Sequence, residues 1–357
     1  MIDFWAPLAL TTSTVALLAL PVTPALYELW KRKDAGPLPT SRHDGAVDNF
    51  AKILADQLEI IRPEMEACRN KRDWSHVRFE GMNALIVGNE NFGFDSVQMQ
   101  GVALVACACD ATVPSGSVIA ADIYSDANLK LERGAVARAV MAVGDVTLTE
   151  ESTVLRWLSA NGDAILRTNS AVYGRLSGNS IYLSPGCRFQ RLFAKSILTL
   201  GPTDAEFFPL SNPKPDPTEL KIAPMETRAS RRQRARVDGD FTLPAKAALD
   251  TNLIVTGKSR FKRGSFLSGS TKIYKDSVFE EGATVRGSIV CGGSLHIGRK
   301  CFVAGPIMAE DSVTIDRDCR IGTFDSPTTV SARRIRIAPG CQLHGTVWAR
   351  VQGSVES

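Results

Sequence analysis

Five arginines within a short stretch, Arg228, Arg231, Arg232, Arg234 and Arg236, form the densest polar feature of the chain. Guanidinium groups at that spacing can hold anions: lipid headgroups, an acidic protein face or a nucleic-acid backbone. No aromatic side chain is interleaved to stack on bases, so nucleic acid is not expected as a partner. A solvated loop is the plainer reading, with lipid or an acidic protein as the functional ones. His296 and His344 could act as general bases, because an imidazole near neutral pH can take a proton from a hydroxyl or an amine. Each sits beside an apolar residue read as inward, Ile297 and Leu343, so alternation points both histidines to solvent. The eight cysteines include one close pair, Cys107 and Cys109. Zinc sites use closely spaced ligand pairs, so no metal and no cofactor is expected. At this length a disulfide framework is not expected either, and a reducing compartment fits better. P-loop, G-x-S-x-G and H-E-x-x-H motifs do not occur. The pairs Glu150–Glu151 and Glu280–Glu281 fall at turns, where solubility explains them. No enzyme is expected from this set of residues.

The element that must position these residues is a repeat. From Asp145 to Gly201 the chain reads as segments of 17 or 18 residues, each with an alternating apolar pair, a turn and another apolar pair. One apolar residue per segment marks the phase: Leu131, Leu148, Leu166, Leu183 and Leu200, then Leu243, Phe261, Phe279, Ile297, Ile315 and Ile337. The last step is longer and holds the inserted loop FDSPTT. Three residues past most landmarks stands a residue that tolerates left-handed backbone: Gly134, Asn169, Gly186, Gly264, Gly282, Asp318 and Gly340. The next position is small at every landmark except Leu200. That column contains Cys187, Cys301, Cys319 and Cys341, which are therefore read as packed corner residues. Alternation and recurring corners predict an all-β fold, a β-solenoid of 17–18-residue coils. Eleven landmarks at ~4.8 Å each give a rod of about 50 Å. Its ends would expose unpaired strand edges. Leu343, Val347, Trp348 and Val351, on a last coil followed only by QGSVES, are the candidate end-to-end contact.

The first block is assigned to 77–201 and the second to 239–352. Strand-like runs such as Ala84–Val87 and Val102–Ala106 open the first block without a clear phase. Between the blocks, 202–238 carries six prolines and the arginines, and reads as a linker or loop. Residues 45–75 read as an amphipathic helical segment. Val47, Phe50, Leu54, Leu58, Ile61 and Met65 recur at three or four residues, Asp44 is a plausible N-cap, and Pro63 should end or kink the helix. It could cover the first edge of the solenoid. Residues 31–44 read as an extended linker.

Residues 4–30 read as a transmembrane helix. Glu28 is the one charged residue from Phe4 to Trp30, and Leu8–Leu26 is long enough for the roughly 30 Å hydrocarbon layer. Trp5 at one end and Tyr27 and Trp30 at the other suit the two interfaces. Lys31, Arg32 and Lys33 follow the apolar run, whereas a signal peptide would carry its positive charge before it. The expected location is the inner (cytoplasmic) membrane, single-pass, N-terminus out, with the solenoid in the cytoplasm.

Segments such as SVFEEGATVRGSIVCGGSLHIG and RRIRIAPGCQLHG resemble the bactofilin family over roughly 115–201 and 240–352. The resemblance implies a right-handed β-helix that polymerises end to end without nucleotide, and membrane-associated scaffolding of envelope-building enzymes. The full apolar N-terminal segment and the Pro/Arg-rich break depart from a minimal member, and a rod that docks one membrane complex fits them too. Partners implied are therefore a second copy, the bilayer, or a membrane complex of envelope biosynthesis. The rival is a left-handed β-helix acyltransferase built on hexapeptides. Ile297, Val303, Ala309, Ile315 and Ile321 do step by six, with Gly298 and Gly322 after two of them. That phase lasts about one and a half coils, and the 17-residue steps of the first block are not multiples of six.

Overall fold

The computed structural model describes residues 5–23, 27, 30, 49–79, 81–90, 92–94, 98–201 and 234–356. The chain divides into two units, Met1–Ala46 and Val47–Ser357. Within the second unit, each coil is built from short strands whose middle residue points out and whose flanking residues are buried, as in Leu129–Leu131, Val146–Leu148 and Ser277–Phe279. A period of two on a short strand buries one face only, so the coil is stable because the coils above and below cover its edges.

The stacking is in register. Val113, Leu131, Leu148, Leu166, Leu183 and Thr199 pair in parallel from coil to coil. Leu243, Phe261, Phe279, Ile297, Ile315, Ile337 and Val355 do the same in the second block. That makes thirteen coils among the described residues, about 60 Å at ~4.8 Å per coil. The landmarks expected from sequence fall on these columns with one exception: Thr199, not Leu200, pairs with Leu183. The pairing of Arg188–Thr199 on the preceding coil slips at a bulge, which shortens the coil and moves the phase. The corner after each landmark from Val113 to Leu183 and from Leu243 to Ile337 has positive φ. It is 68° at Gly134, 60° at Asn169 and 61° at Asp318, and the same phase is held by Glu151, Lys246 and Lys300. The small residues that follow the landmarks expected from sequence are buried except Ala247 on the first coil of the second block, and they include Ser152, Ser170, Ala283 and all four cysteines of the column.

The two blocks join at their C-terminal coils. Arg188–Thr199 pairs antiparallel with Gln342–Val355. Parallel stacking within a block requires the strands to run alike, so an antiparallel junction means the second block is inverted on the first. The core is continuous across it. The second block, assigned to 239–352, runs on into the QGSVES tail: the last strand continues to Val355, which is buried.

Helices α2 (Asn49–Leu58) and α3 (Arg62–Lys71) are separated by a short 3-10 turn, with Pro63 in the first turn of α3. Their buried face, Leu54, Leu58, Ile61 and Met65, packs on Ile86, Ala106, Tyr124 and Met141. Those strand residues stack from coil to coil, so the helices lie along a flank of the rod and do not cover its first edge. Arg62 and Arg69 clamp α3 to Asp126 at 3.7 and 3.3 Å, and the Tyr124 hydroxyl donates to the same carboxylate at 2.6 Å. The first edge is closed differently: Trp74–Phe79 returns antiparallel on Met82–Val87, and Phe92, Phe94, Met99 and Val102 pack against the core.

In the first unit, α1 (Trp5–Ala19) is followed by a 3-10 turn at Leu20–Val22. Leu10, Val15, Leu17, Leu18 and Leu20 are exposed. No described helix is long and apolar enough to cross a membrane. The expected span 4–30 is described at 5–23, 27 and 30, and the linker 31–44 lies outside the described residues.

Candidate functional surfaces

The coil expected at a free end sits at the junction between the blocks. Leu343 pairs with Ile197 and Val347 with Leu192, and both are buried. Trp348 pairs with Arg191, whose guanidinium lies 5.0 Å from the indole ring centre. Val351 is exposed. The contact expected between molecules is therefore made inside one molecule, with the last coil of the first block as the cover.

The junction repeats itself about a local two-fold. The Gly186 N–H donates to the Val355 carbonyl and the Val355 N–H to the Cys187 carbonyl, at 3.1 and 3.0 Å. The Gly340 N–H donates to the Thr199 carbonyl and the Thr199 N–H to the Cys341 carbonyl, at 2.8 and 3.0 Å. Each block sets its last landmark against the corner of the other. Thr199 adds a side-chain lock: its hydroxyl donates to the Ala338 carbonyl at 2.8 Å and accepts the Cys341 N–H at 2.9 Å. His344, expected at the surface, is buried here, with Nδ1 at 2.7 Å from the Lys195 carbonyl oxygen. Sequence reasoning passed over Thr199 and set His344 at the surface because each breaks a pattern: a polar residue in an apolar column, and an imidazole on a face that becomes interior only when the blocks meet. The available signal was at Leu200, the one landmark that the small corner residue does not follow.

Inversion of the second block leaves its first coil as the other outer end. Ala235, Val237, Phe241, Ala247 and Leu249 pack on the core from one side and stay partly open on the other. The strand Arg234–Val237 begins inside the stretch read as linker. Its Arg234 and Arg236 are exposed, and Arg236 Nε donates to Asp238 at 2.9 Å. Arg228, Arg231 and Arg232 lie outside the described residues.

The cysteine column does corner packing. Cys187, Cys301, Cys319 and Cys341 each place sulfur near a carbonyl oxygen of the preceding coil, at 3.1, 3.2, 3.1 and 2.9 Å. Burial pushes the Cys187 thiol up to about 11. The contact with Cys301, together with burial, pushes Cys319 up to about 12. Cys187 and Cys319, held neutral in this way, are poor nucleophiles and poor metal ligands, whereas the contact with Cys319 moves the Cys301 thiol down. No group of three or more His, Cys, Asp or Glu that could hold a metal occurs among the described residues. His296 Nε2 lies 3.3 Å from Asp316 Oδ2 on a half-exposed outer face.

The class that this fold defines is a β-solenoid of two blocks joined tail to tail. Comparison of the chain with family models, with curated proteins and with solved structures finds no match.

Proposed function

We propose that the chain is a membrane-anchored cytoplasmic scaffold of the bactofilin type, a right-handed β-helix without catalysis of its own that organises cell-envelope or polysaccharide-synthesis machinery. The observation that carries it is the rod: among the described residues thirteen coils end in one covered face and one bare face, residues 235–249. A rigid rod with an unpaired end is built to add strands from another chain. The apolar α1 with Trp5 at its start, and the Lys31–Lys33 cluster after Trp30, support anchoring with the N-terminus outside. Carbonate extraction of membranes tests the anchor: the full chain stays with the membrane, and a version starting at Asp34 is released. A full chain that partitions with soluble proteins sinks that half of the reading. Affinity purification from detergent-solubilised membranes tests the scaffold half, with envelope synthases expected among the retained proteins.

The His296–Asp316 pair favours one second reading, an acyltransferase on a left-handed β-helix, since the carboxylate would orient the imidazole as a base. Saturable acyl-donor binding that His296→Ala abolishes would replace the scaffold with that enzyme.

A further inference from the structure

We propose that one long face of the solenoid docks on an anionic lipid bilayer, so that the rod lies along the membrane. The inference rests on the anchored reading above and adds which side of the rod meets lipid.

The outward residues of the second block stack into three columns, one for each strand of the coil. The first runs Thr242, Arg260, Val278, His296, Thr314 and Arg336. The second runs Ala248, Phe266, Thr284, Phe302, Arg320 and Gln342. Neither holds an exposed large apolar side chain. The third runs Ile254, Lys272, Val290, Met308, Ser331 and Trp348. Here Val290, Met308 and Trp348 are 39%, 49% and 43% exposed. Two residues past this column stand Tyr274, Gly292, Glu310, Arg333 and Arg350, all exposed, and exposed Val351 follows.

On the first block the same face is covered. Trp348 pairs with Arg191 at the junction, and the column continues through Arg175 and Trp157 to Ala139. The neighbouring outward residues Tyr124 and Met141 are buried under α2 and α3. That cover ends at the first turn of α2, where half-exposed Phe50 lines one hollow with Leu155, Arg156 and Trp348. A sheet face that carries helices on one block is therefore bare on the other, from Trp348 to Ile254, about 24 Å at ~4.8 Å per coil.

The charges point to lipid. Those exposed along the bare face and its rim are Arg156, Lys272, Arg333 and Arg350, against Glu310. Trp and Tyr settle at the headgroup level of a bilayer, and Lys and Arg reach past apolar neighbours to its phosphates. Lys272 Nζ, 4.9 Å from the Tyr274 ring centre, already pairs such a cation with an aromatic. The column is a flat sheet face, which fits a plane. The sequence points the same way: residues 31–48 lead from the apolar segment into α2 at Asn49, one residue before Phe50. The rim of the bare face is thus the part of the rod joined first to the anchor.

A chain starting at Asp34 keeps the whole buried core, Ala51 to Val355, and lacks the apolar segment, so it isolates the face. It should sediment with vesicles of phosphatidylcholine and phosphatidylglycerol at low salt, and not with phosphatidylcholine alone. Arg156→Ala and Arg333→Ala should each weaken binding about fivefold, and Met308→Ser should weaken it too, all with the melting temperature unchanged. Brominated lipid should quench the tryptophan fluorescence, and Trp348→Phe should remove the larger part of that quenching. Replacing Arg228, Arg231 and Arg232 by Gln should leave binding in place. Absence of binding to the anionic vesicles overturns the proposal, even where carbonate extraction of the full chain upholds the anchor. Binding that follows Arg228, Arg231 and Arg232 instead of Arg156 and Arg333 overturns it as well, as does quenching that Trp348→Phe leaves unchanged. A full chain released by carbonate, with the shortened chain still bound to anionic vesicles, sinks the anchor and upholds the face.

Discussion

Asp145 accepts a hydrogen bond from the backbone N–H of Asp163, one coil on, at 2.8 Å. The same rung recurs from Asp110 to Asn128, from Asn128 to Asp145 and from Asp163 to Ser180. In the second block Asp240 and Asp276 serve Lys258 and Ser294. Short carboxylates and amides fit here because their oxygen reaches the next coil at the corner. Asp145→Ala should cost about 0.5–1.5 kcal/mol in chemical denaturation, because the Asp163 N–H loses its protein partner. Asp145→Asn should cost far less, since Asn128 already makes the rung. Asp276 gives the pH sign: the Ser294 N–H, and then Lys258, hold its carboxyl below the ordinary range. A depressed folded pKa contributes stability above the unfolded value of about 4, and that stability is lost as pH falls through the folded one. The melting temperature of the wild type should therefore fall on acidification below about pH 4, and Asp276→Asn should fall less steeply. The thiols give a second residue-scale test. In the native chain at pH 8 alkylation should reach only the half-exposed Cys109, and all eight cysteines after denaturation.

At the scale of the element, the left-handed corner is the constant of the coil. Glycine holds it in many coils, but Glu151, Lys246 and Lys300 adopt it with φ of 61°, 58° and 55°. An L-residue with a Cβ pays roughly 1–2 kcal/mol there. Lys300→Gly should raise the stability by up to about 1 kcal/mol, read as a higher melting temperature, with the glycine's greater unfolded-state entropy taking back part of the gain. This element was legible in advance: Gly134, Asn169, Gly186 and Asp318 were picked out by residue type and spacing, and all have positive φ. The small column behind it was legible for the same reason, since a crowded corner admits only Ala, Ser or Cys. The flank helices were legible as an apolar face, but not in their placement. Leu54 and Met65 announce burial, and what they bury against, Tyr124 and Met141, lies on outward strand positions that alternation assigns to solvent. The junction was hidden because nothing local in Leu192 or Val347 encodes an antiparallel partner some 150 residues away. Gly353 is its tightest point: a Cβ there would fall 2.1 Å from the Phe189 ring. Gly353→Ala should therefore lower the stability by more than the same change at Gly93, where a Cβ meets nothing within 4 Å.

At the scale of the whole rod, the inversion decides how copies can meet. In a head-to-tail filament one end of each copy presents a C-terminal coil to the N-terminal coil of the next. Here both C-terminal coils are spent on each other, and the N-terminal coil of the first block is closed by Trp74–Phe79 and by Phe94. Among the described residues one bare end remains, with Val237 and Phe241 half open. A single self-complementary end gives a closed two-fold pair, not an open filament. The junction inside the chain already shows that two coil ends of this solenoid can meet antiparallel in this way. The most direct measurement is the mass and length of the full chain in detergent, by analytical ultracentrifugation and negative-stain microscopy. The account predicts rods that double end to end, from about 60 Å to about 120 Å, with doubling abolished by Phe241→Lys and unaffected by Val351→Lys. Long filaments, or single rods at every concentration tested, would contradict it.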